Sequence, residues 1–130
     1  MATGTDGNDD IPGTGGGETI RGGDGADRLR GSAGDDSISG GGGNDDISGG
    51  QGNDTIRGGR GDDDINGGEG FDRAVYVGDV SEYDIFVDAQ GRLHINDTAL
   101  DRDGNDRVKN VEEFNFNGTI YTYAELLALT

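Results

Sequence analysis

From Gly4 to Val75 the chain repeats every nine residues, eight times and without an insertion. The units read GTDGNDDIP, GTGGGETIR, GGDGADRLR, GSAGDDSIS, GGGGNDDIS, GGQGNDTIR, GGRGDDDIN and GGEGFDRAV. Positions 1 and 4 are always Gly, and position 6 is Asp in all units but the second, which has Glu18. Position 8 is Ile11, Ile20, Leu29, Ile38, Ile47, Ile56, Ile65 and Ala74. A fixed period of this kind makes each unit one element stacked on copies of itself, and it outranks any local propensity.

Positions 7 to 9 alternate polar, aliphatic, polar, so the middle residue of a short strand faces a core and its neighbours face solvent. The six residues before them carry glycines able to take positive φ and read as a tight turn. Turning every nine residues sends successive strands into alternate sheets, so a full coil takes two units. Ile11, Leu29, Ile47 and Ile65 then stack in one sheet, and Ile20, Ile38, Ile56 and Ala74 in the other. One core side chain per unit cannot offset the entropy of ordering so glycine-rich a chain. Something besides apolar burial must hold the folded state.

The position-6 acids name it. Asp9, Asp27, Asp45 and Asp63 fall along one edge, and Glu18, Asp36, Asp54 and Asp72 along the other. Strand spacing of ~4.8 Å would bring these like charges together. A Ca²⁺ ion, with Ca–O bonds of about 2.3–2.6 Å, reaches oxygen on two stacked loops at once. No Cys and a single His weigh against zinc or copper. Glycine at positions 1, 2 and 4 lets the turns fold closely enough to aim carbonyls at an ion.

The pattern G-G-x-G-x-D-x-U-x, with U a large aliphatic, resembles the RTX (repeats-in-toxin) nonapeptide over residues 4 to 75. The resemblance implies an all-β, calcium-loaded parallel β-roll in a bacterial protein exported by type I secretion. It implies one Ca²⁺ between loops one coil apart. Carbonyls of positions 2 and 4 and the acid come from the first loop, and carbonyls of positions 1 and 3 and the acid from the second. On one edge these are Thr5, Gly7 and Asp9 with Gly22, Asp24 and Asp27; Gly23, Gly25 and Asp27 with Gly40, Gly42 and Asp45; and Gly41, Gly43 and Asp45 with Gly58, Arg60 and Asp63. On the other they are Thr14, Gly16 and Glu18 with Gly31, Ala33 and Asp36; Ser32, Gly34 and Asp36 with Gly49, Gln51 and Asp54; and Gly50, Gly52 and Asp54 with Gly67, Glu69 and Asp72. Up to about six Ca²⁺ ions are implied in this way. Two units depart from the pattern: Glu18 is a methylene too long, and Ala74 replaces the core aliphatic.

Composition changes at residue 76: 24 of the 28 glycines lie before it. The reading is a roll over residues 1–75 and a small antiparallel β cap over 76–130, and the resemblance implies an uncleaved export signal at the end of the cap if that end is the parent protein's own C-terminus. YDIFVDA (83–89) and RLHINDT (92–98) read as a hairpin around Gln90-Gly91, and NVEEFNFNGTIYT (110–122) as a second one turning at Asn117-Gly118. TYAELLALT reads as a short helix or a last strand. Val75, Val77, Ile85, Val87, Ile95, Val111, Phe114 and Phe116 are expected to close the end of the roll. DRDGND (101–106) spaces carboxylates as a calcium loop does, but reads first as an Asp/Gly turn. His94, with no second His or Cys beside it, reads as structural.

Net charge is −17, with −10 up to Val75 and −7 beyond it. Such a chain is a poor partner for nucleic acid or anionic membranes. No apolar run is long enough to span a bilayer, no signal-peptide pattern opens the chain, and Met1-Ala2 reads as an added start to a module of a larger protein. There is no phosphate-loop motif and no catalytic constellation, so the chain is read as non-enzymatic. The leading reading is a secreted module that stays disordered in the calcium-poor cytosol and folds on extracellular Ca²⁺. The alternative is a carbohydrate-binding module, since similar modules accompany alginate epimerases as well as secreted proteases, lipases and haemolysins. On the even-unit sheet the outward residues are Thr19, Arg21, Ser37, Ser39, Thr55, Arg57, Arg73 and Val75, with no acid among them. Arg21, Arg57 and Arg73 are the candidate contacts to a polyuronate such as alginate, although the same residues also read as ordinary solubilising surface.

Overall fold

The computed structural model describes residues 2–99 and 102–129. Its strands are β1 (Ala2–Thr3), β2 (Asp10–Pro12), β3 (Thr19–Gly23), β4 (Arg28–Arg30), β5 (Ser37–Gly41), β6 (Asp46–Ser48), β7 (Thr55–Gly59), β8 (Asp64–Asn66), β9 (Arg73–Tyr76), β10 (Tyr83–Val87), β11 (Leu93–Asp97), β12 (Asn105–Lys109), β13 (Glu113–Phe116) and β14 (Thr119–Thr122). A 3₁₀ turn precedes β10 at Val80–Glu82, and one helix, α1 (Tyr123–Leu127), follows β14. The odd-unit strands are centred on the aliphatic of position 8, while β3, β5 and β7 begin one residue before it and run two residues into the next unit.

The strands form two seven-stranded sheets, ordered β1-β3-β5-β7-β9-β13-β14 and β10-β11-β12-β8-β6-β4-β2. Even units feed the first and odd units the second, which is the parallel β-roll that the period demands. Register partners are one coil apart: Ile20, Ile38, Ile56 and Ala74 in one sheet, Ile11, Leu29, Ile47 and Ile65 in the other. All of these side chains are buried except Ile11, which lies in the first coil and is only half-buried.

The segment after residue 75 corrects the expected cap. Its two hairpins are antiparallel as read, β10 with β11 and β13 with β14. But β12 adds to β8 in parallel, with Val108 opposite Ile65, and β13 adds to β9 in parallel, with Phe114 opposite Ala74. The roll therefore runs on past Val75, and the hairpin β10–β11 is an excursion between its coils. Ala74 is small where Phe114, its register partner, is large.

The expected closing residues are also corrected in part. Ile85, Ile95, Val111, Phe114 and Phe116 are buried, whereas Val77 and Val87 are 43% and 41% exposed and Val75 is half-buried. Inward alternation along β9 continues from Ala74 to Tyr76, which turns Val75 and Val77 outward. Tyr76 instead stacks on Phe116 at 4.9 Å, and Tyr83 meets both rings edge-on at 5.5 and 4.9 Å. These three rings, with Leu93, Val108 and Leu126, complete the core. The turn at Asn117-Gly118 takes positive φ at both residues (50° and 90°), as a tight hairpin turn requires.

Gly43 and Gly91 both have positive φ, 91° and 81°, but only Gly43 is also pressed against a neighbouring coil: a Cβ there would collide with the Gly25 carbonyl, while Gly91 has open space. Gly91→Ala should therefore cost only the backbone term, about 1–2 kcal/mol. Gly43→Ala should cost about 4 kcal/mol or more, because the coils must separate. Denaturant unfolding of both variants in one calcium-containing buffer checks the difference.

Candidate metal centres

The position-6 carboxylates are suspended between coils. Along one edge the Asp9 N–H donates to Asp27 Oδ1 (2.8 Å), Asp27 N–H to Asp45 Oδ1 (2.9 Å), and Asp45 N–H to Asp63 Oδ1 (2.9 Å). Along the other, Glu18 N–H donates to Asp36 Oδ1 (2.8 Å), Asp36 N–H to Asp54 Oδ1 (2.8 Å) and Asp54 N–H to Asp72 Oδ1 (2.9 Å). One oxygen of each acid is thereby fixed to the coil before it. The second oxygen, Oδ2 of Asp27, Asp36, Asp45, Asp54, Asp63 and Asp72, is buried and has no hydrogen-bond partner. A buried carboxylate oxygen without a partner is costly, and its recurrence in successive coils calls for a common ligand.

The surroundings of these oxygens are built from backbone. A Cβ on Gly22, Gly31, Gly40 or Gly49 would fall onto Oδ2 of its own unit's acid and onto the carbonyl oxygen of position 1 one coil on: Gly40, Gly49, Gly58 and Gly67. Position 1 is Gly because that space is lined with oxygen. Carbonyls of positions 2 and 4 turn the other way, toward the following coil. Those of Thr5, Gly23, Gly41, Ser32 and Gly50 press on position 2 there, and those of Gly7, Gly25, Gly43, Gly34 and Gly52 on position 4. Position 3 is tied across the same gap, since the N–H groups of Gly42, Gln51 and Glu69 donate to the carbonyls of Gly23, Ser32 and Gly50 at 3.0, 2.7 and 2.9 Å. Among the described residues no three His, Cys, Asp or Glu side chains converge on one point. Any cation here would be completed by carbonyls, an all-oxygen donor set that suits Ca²⁺.

Electrostatics agree. Burial pushes the Asp45 carboxyl up to about 6 and the Asp54 carboxyl up to about 7, against the opposing hydrogen bonds from the Asp27 and Asp36 backbone. Asp36 and Asp72 are raised by the same desolvation. A divalent cation between the loops is what would let these groups stay ionised.

The first two units differ from the rest. Position 2 is Thr5 and Thr14 there, but Gly or Ser with positive φ in later units, as at Ser32 (73°) and Gly41 (93°). β-Branched Thr avoids that region, and its N–H turns onto the acid instead: Thr5 N–H donates to Asp9 Oδ2 (2.6 Å) and Thr14 N–H to Glu18 Oε1. Opposite Gly34 the nearest atom is the carbonyl carbon of Gly16, not its oxygen. The Asp9–Asp27 and Glu18–Asp36 loop pairs thus carry an orphaned oxygen on one side only, and the other four pairs on both. At the opposite end of the roll, the segment after residue 75 adds two unexpected members to the columns. Asp63 N–H donates to Asp106 Oδ1 (2.9 Å) and Asp72 N–H to Glu112 Oε1 (2.7 Å), so acids from beyond residue 100 continue both edges.

A second ladder escaped the sequence reading. Position-5 side chains accept the position-5 N–H of the next coil: Asn8 from Ala26, Asn44 from Asp62, Asp35 from Asn53 and Asn53 from Phe71, at 2.8 to 2.9 Å. The signal was present in the recurrence of Asn and Asp at that position.

On the even-unit face, Thr19, Arg21, Ser37, Ser39, Thr55, Arg57 and Val75 line one shallow groove. Arg73 lies outside this groove and is bound to Glu113 at 2.7 Å, across the strand pair β9–β13 that sequence could not anticipate. Arg30 pairs with Asp10 on the other sheet. His94 sits 2.7 Å from Asp88 and stacks on Phe86, a structural role.

Two columns of buried carboxylates, each aimed into a carbonyl-lined gap between stacked coils, define a cation-binding parallel β-roll. The model of the RTX calcium-binding nonapeptide repeat matches residues 12–47 and 39–74. The solution structure of the AlgE6R3 subunit from the Azotobacter vinelandii mannuronan C5-epimerase is similar, with 31% identity and a TM-score of 0.61 over 81% of this chain and 72% of that one. No curated protein sequence matches. The chain belongs to the RTX calcium-binding repeat family, whose repeats are a non-catalytic calcium-binding module. No helix among the described residues is long and apolar enough to cross a membrane.

The raised carboxyls set a pH dependence. Folded Asp45 and Asp54 hold protons up to about 6 and about 7, whereas the unfolded groups lose them near 3.8, so the folded state binds more protons between these limits. Stability without a cation must then fall as pH rises through that window. In chelator, β structure measured by circular dichroism should be greater at pH 5 than at pH 8. Millimolar calcium should remove most of that difference.

Proposed function

We propose that this chain is a calcium-triggered folding module of a secreted bacterial protein. The observation that supports this best is the orphaned Oδ2 repeated at Asp27, Asp36, Asp45, Asp54, Asp63 and Asp72. With Ca²⁺ in each gap, those oxygens would join the carbonyls of positions 2 and 4 below and of positions 1 and 3 above. The best-formed sites join Asp27 to Asp45, Asp45 to Asp63, Asp36 to Asp54 and Asp54 to Asp72. The ion supplies charge neutralisation and binding energy that the thin core lacks, so binding is folding. In a calcium-poor compartment the chain, at −17, repels itself and remains extended enough to be threaded by a type I secretion machinery. At about millimolar calcium outside the cell it would close.

A second reading concerns the groove between Arg21 and Arg57. The similar solved structure is a subunit of an enzyme acting on mannuronan, a polymer of uronic acid. Two guanidiniums two strand spacings apart, ~10 Å, with hydroxyls of Thr19, Ser37, Ser39 and Thr55 between them, suit successive carboxylates of such a chain. With Arg73 held by Glu113, the contact is shorter than three arginines would make it.

Asp45→Asn keeps the Oδ1 acceptor for the Asp27 N–H but replaces the orphaned oxygen with a donor; Asp46, on the solvent side, lies 3.9 Å from Arg28. In a calcium titration followed by circular dichroism, Asp45→Asn should raise the folding midpoint about tenfold or more, and Asp46→Asn by less than about twofold. Equal effects would remove the basis of the reading. Weak, salt-sensitive binding of oligouronates, followed by NMR in calcium, should be lost in Arg21→Ala/Arg57→Ala and retained in Arg28→Ala/Arg30→Ala.

A further inference from the structure

Residues 101–109, DRDGNDRVK, fit the nine-residue frame, with Gly104 at position 4, Asp106 at position 6 and Val108 at position 8. They are separated from the eighth unit by the 25 residues 76–100. The structure seats residues 102–109 as the unit above the seventh. Val108 pairs with Ile65, Arg107 N–H donates to the Asp63 carbonyl (2.9 Å), and Asn105 N–H donates to Asp62 Oδ1 (3.0 Å), which continues the position-5 ladder. Gly104 has φ 74°, and a Cβ on it would collide with the Gly61 carbonyl, as position 4 does in the coils below.

We propose a further calcium site between the loop Gly59–Asp63 and the segment Asp103–Asp106, one that forms only when the hairpin β10–β11 is docked. It rests on the reading that the orphaned oxygens hold Ca²⁺. Asp63 and Asp106 are 3% and 1% exposed, and both have a buried Oδ2 without a partner. Asp106 Oδ1 is held by the Asp63 N–H, so its carboxylate faces the seventh loop, whose Gly61 carbonyl points back across the gap at Gly104. Burial raises both acids; the Asp106 charge raises Asp63 further, and the Asp103 charge raises Asp106 against the opposing hydrogen bond from the Asp63 backbone. No positive side chain is paired with either among the described residues.

What distinguishes this site is how its upper loop is shaped. Position 2 is Arg102, where a Gly would stand. The hairpin does the shaping instead. Asp97, at the end of β11, receives Arg102 Nε and Nη2 at 2.6 Å each and the Asp103 N–H at 3.0 Å, and its own N–H donates to the Gly104 carbonyl (2.8 Å). Tyr83, at the start of β10, donates its hydroxyl to Asp103, which also accepts the Val77 N–H at 3.1 Å. Binding at this site and docking of the hairpin are therefore linked, and each must strengthen the other by the same factor. Asp97 and Tyr83 are positioning residues for it.

All four tyrosines lie beyond residue 75, and Tyr76 and Tyr83 pack beside this loop. Terbium, a luminescent hard-cation substitute for calcium, should show tyrosine-sensitised emission in the full chain that excess Ca²⁺ displaces. Asp106→Asn should lose most of that emission and bind one Ca²⁺ fewer per chain by equilibrium dialysis, while the calcium-induced circular dichroism of the roll persists. Asp97→Asn should weaken the same site about tenfold or more and leave the remaining ions unchanged. Unaltered stoichiometry and emission in Asp106→Asn would overturn the site. If Asp106→Asn does not fold, a wild-type chain that folds with terbium but gives no tyrosine-sensitised emission overturns it equally. Should Asp45→Asn also leave calcium binding intact, the general calcium reading fails; if only Asp106→Asn is silent, this site alone fails.

Discussion

Everything in this roll depends on a carboxylate divided between two tasks. One oxygen accepts a backbone N–H from the coil before, which fixes the register of the stack. The other is withheld from every protein donor and faces carbonyls. A fully satisfied Asp would hold the coils together without a metal and would respond to nothing. An Asp with both oxygens orphaned would leave its loop free to swing. The divided carboxylate positions itself with one oxygen and leaves the other for a cation. Units 1 and 2 show the contrast: there the N–H of Thr5 or Thr14 in the same loop donates to the acid, which turns inward on its own loop.

Much of this was legible in the sequence because the repeat states the same geometry eight times. The two aliphatic columns, the assignment of acids to two edges, and the hairpins at Gln90-Gly91 and Asn117-Gly118 follow from periods of nine and two. The ninth unit was hidden for a physical reason. Its loop is braced by Asp97 and Tyr83 from a distant hairpin, so it does not need the Gly-Gly that marks the other units, and the 25 residues before it break the frame. Of its DRDGND segment, residues 102–104 bend as read, but the bend is built into the stack, and Asn105-Asp106 already belong to β12. The inward register of β9 was missed because valines flank Tyr76 on both sides, and only the packed rings of Phe116 and Tyr83 decide which of them faces in. The Arg73–Glu113 pair required knowing that β13 lies beside β9.

The thin core accounts for the composition of the ends. Within the roll each coil buries two aliphatic side chains, and everything else is turn. At the far end three aromatic rings, Val108, Leu93 and Leu126 gather around the last strands and give the stack the apolar mass it lacks along its length. Two kinds of stabilisation are thus segregated along one axis, electrostatic in the repeats and hydrophobic at the close. The two respond oppositely to chelation, which removes the first and leaves the second.

The N–H-to-carboxylate bonds all run one way, from each coil's backbone to the acid of the coil that follows it in space, up to Asp106 and Glu112. The stack therefore has a head and a tail that are not equivalent. At the tail, Asp9 and Glu18 close on themselves and ask nothing of what precedes them. At the head, the N–H groups of Asp63 and Asp72 wait for acids that arrive some forty residues later in the chain. A roll without residues 103–116 would have a finished floor and an open, donor-bearing top, so its first units close on themselves while its last two depend on a distant part of the chain.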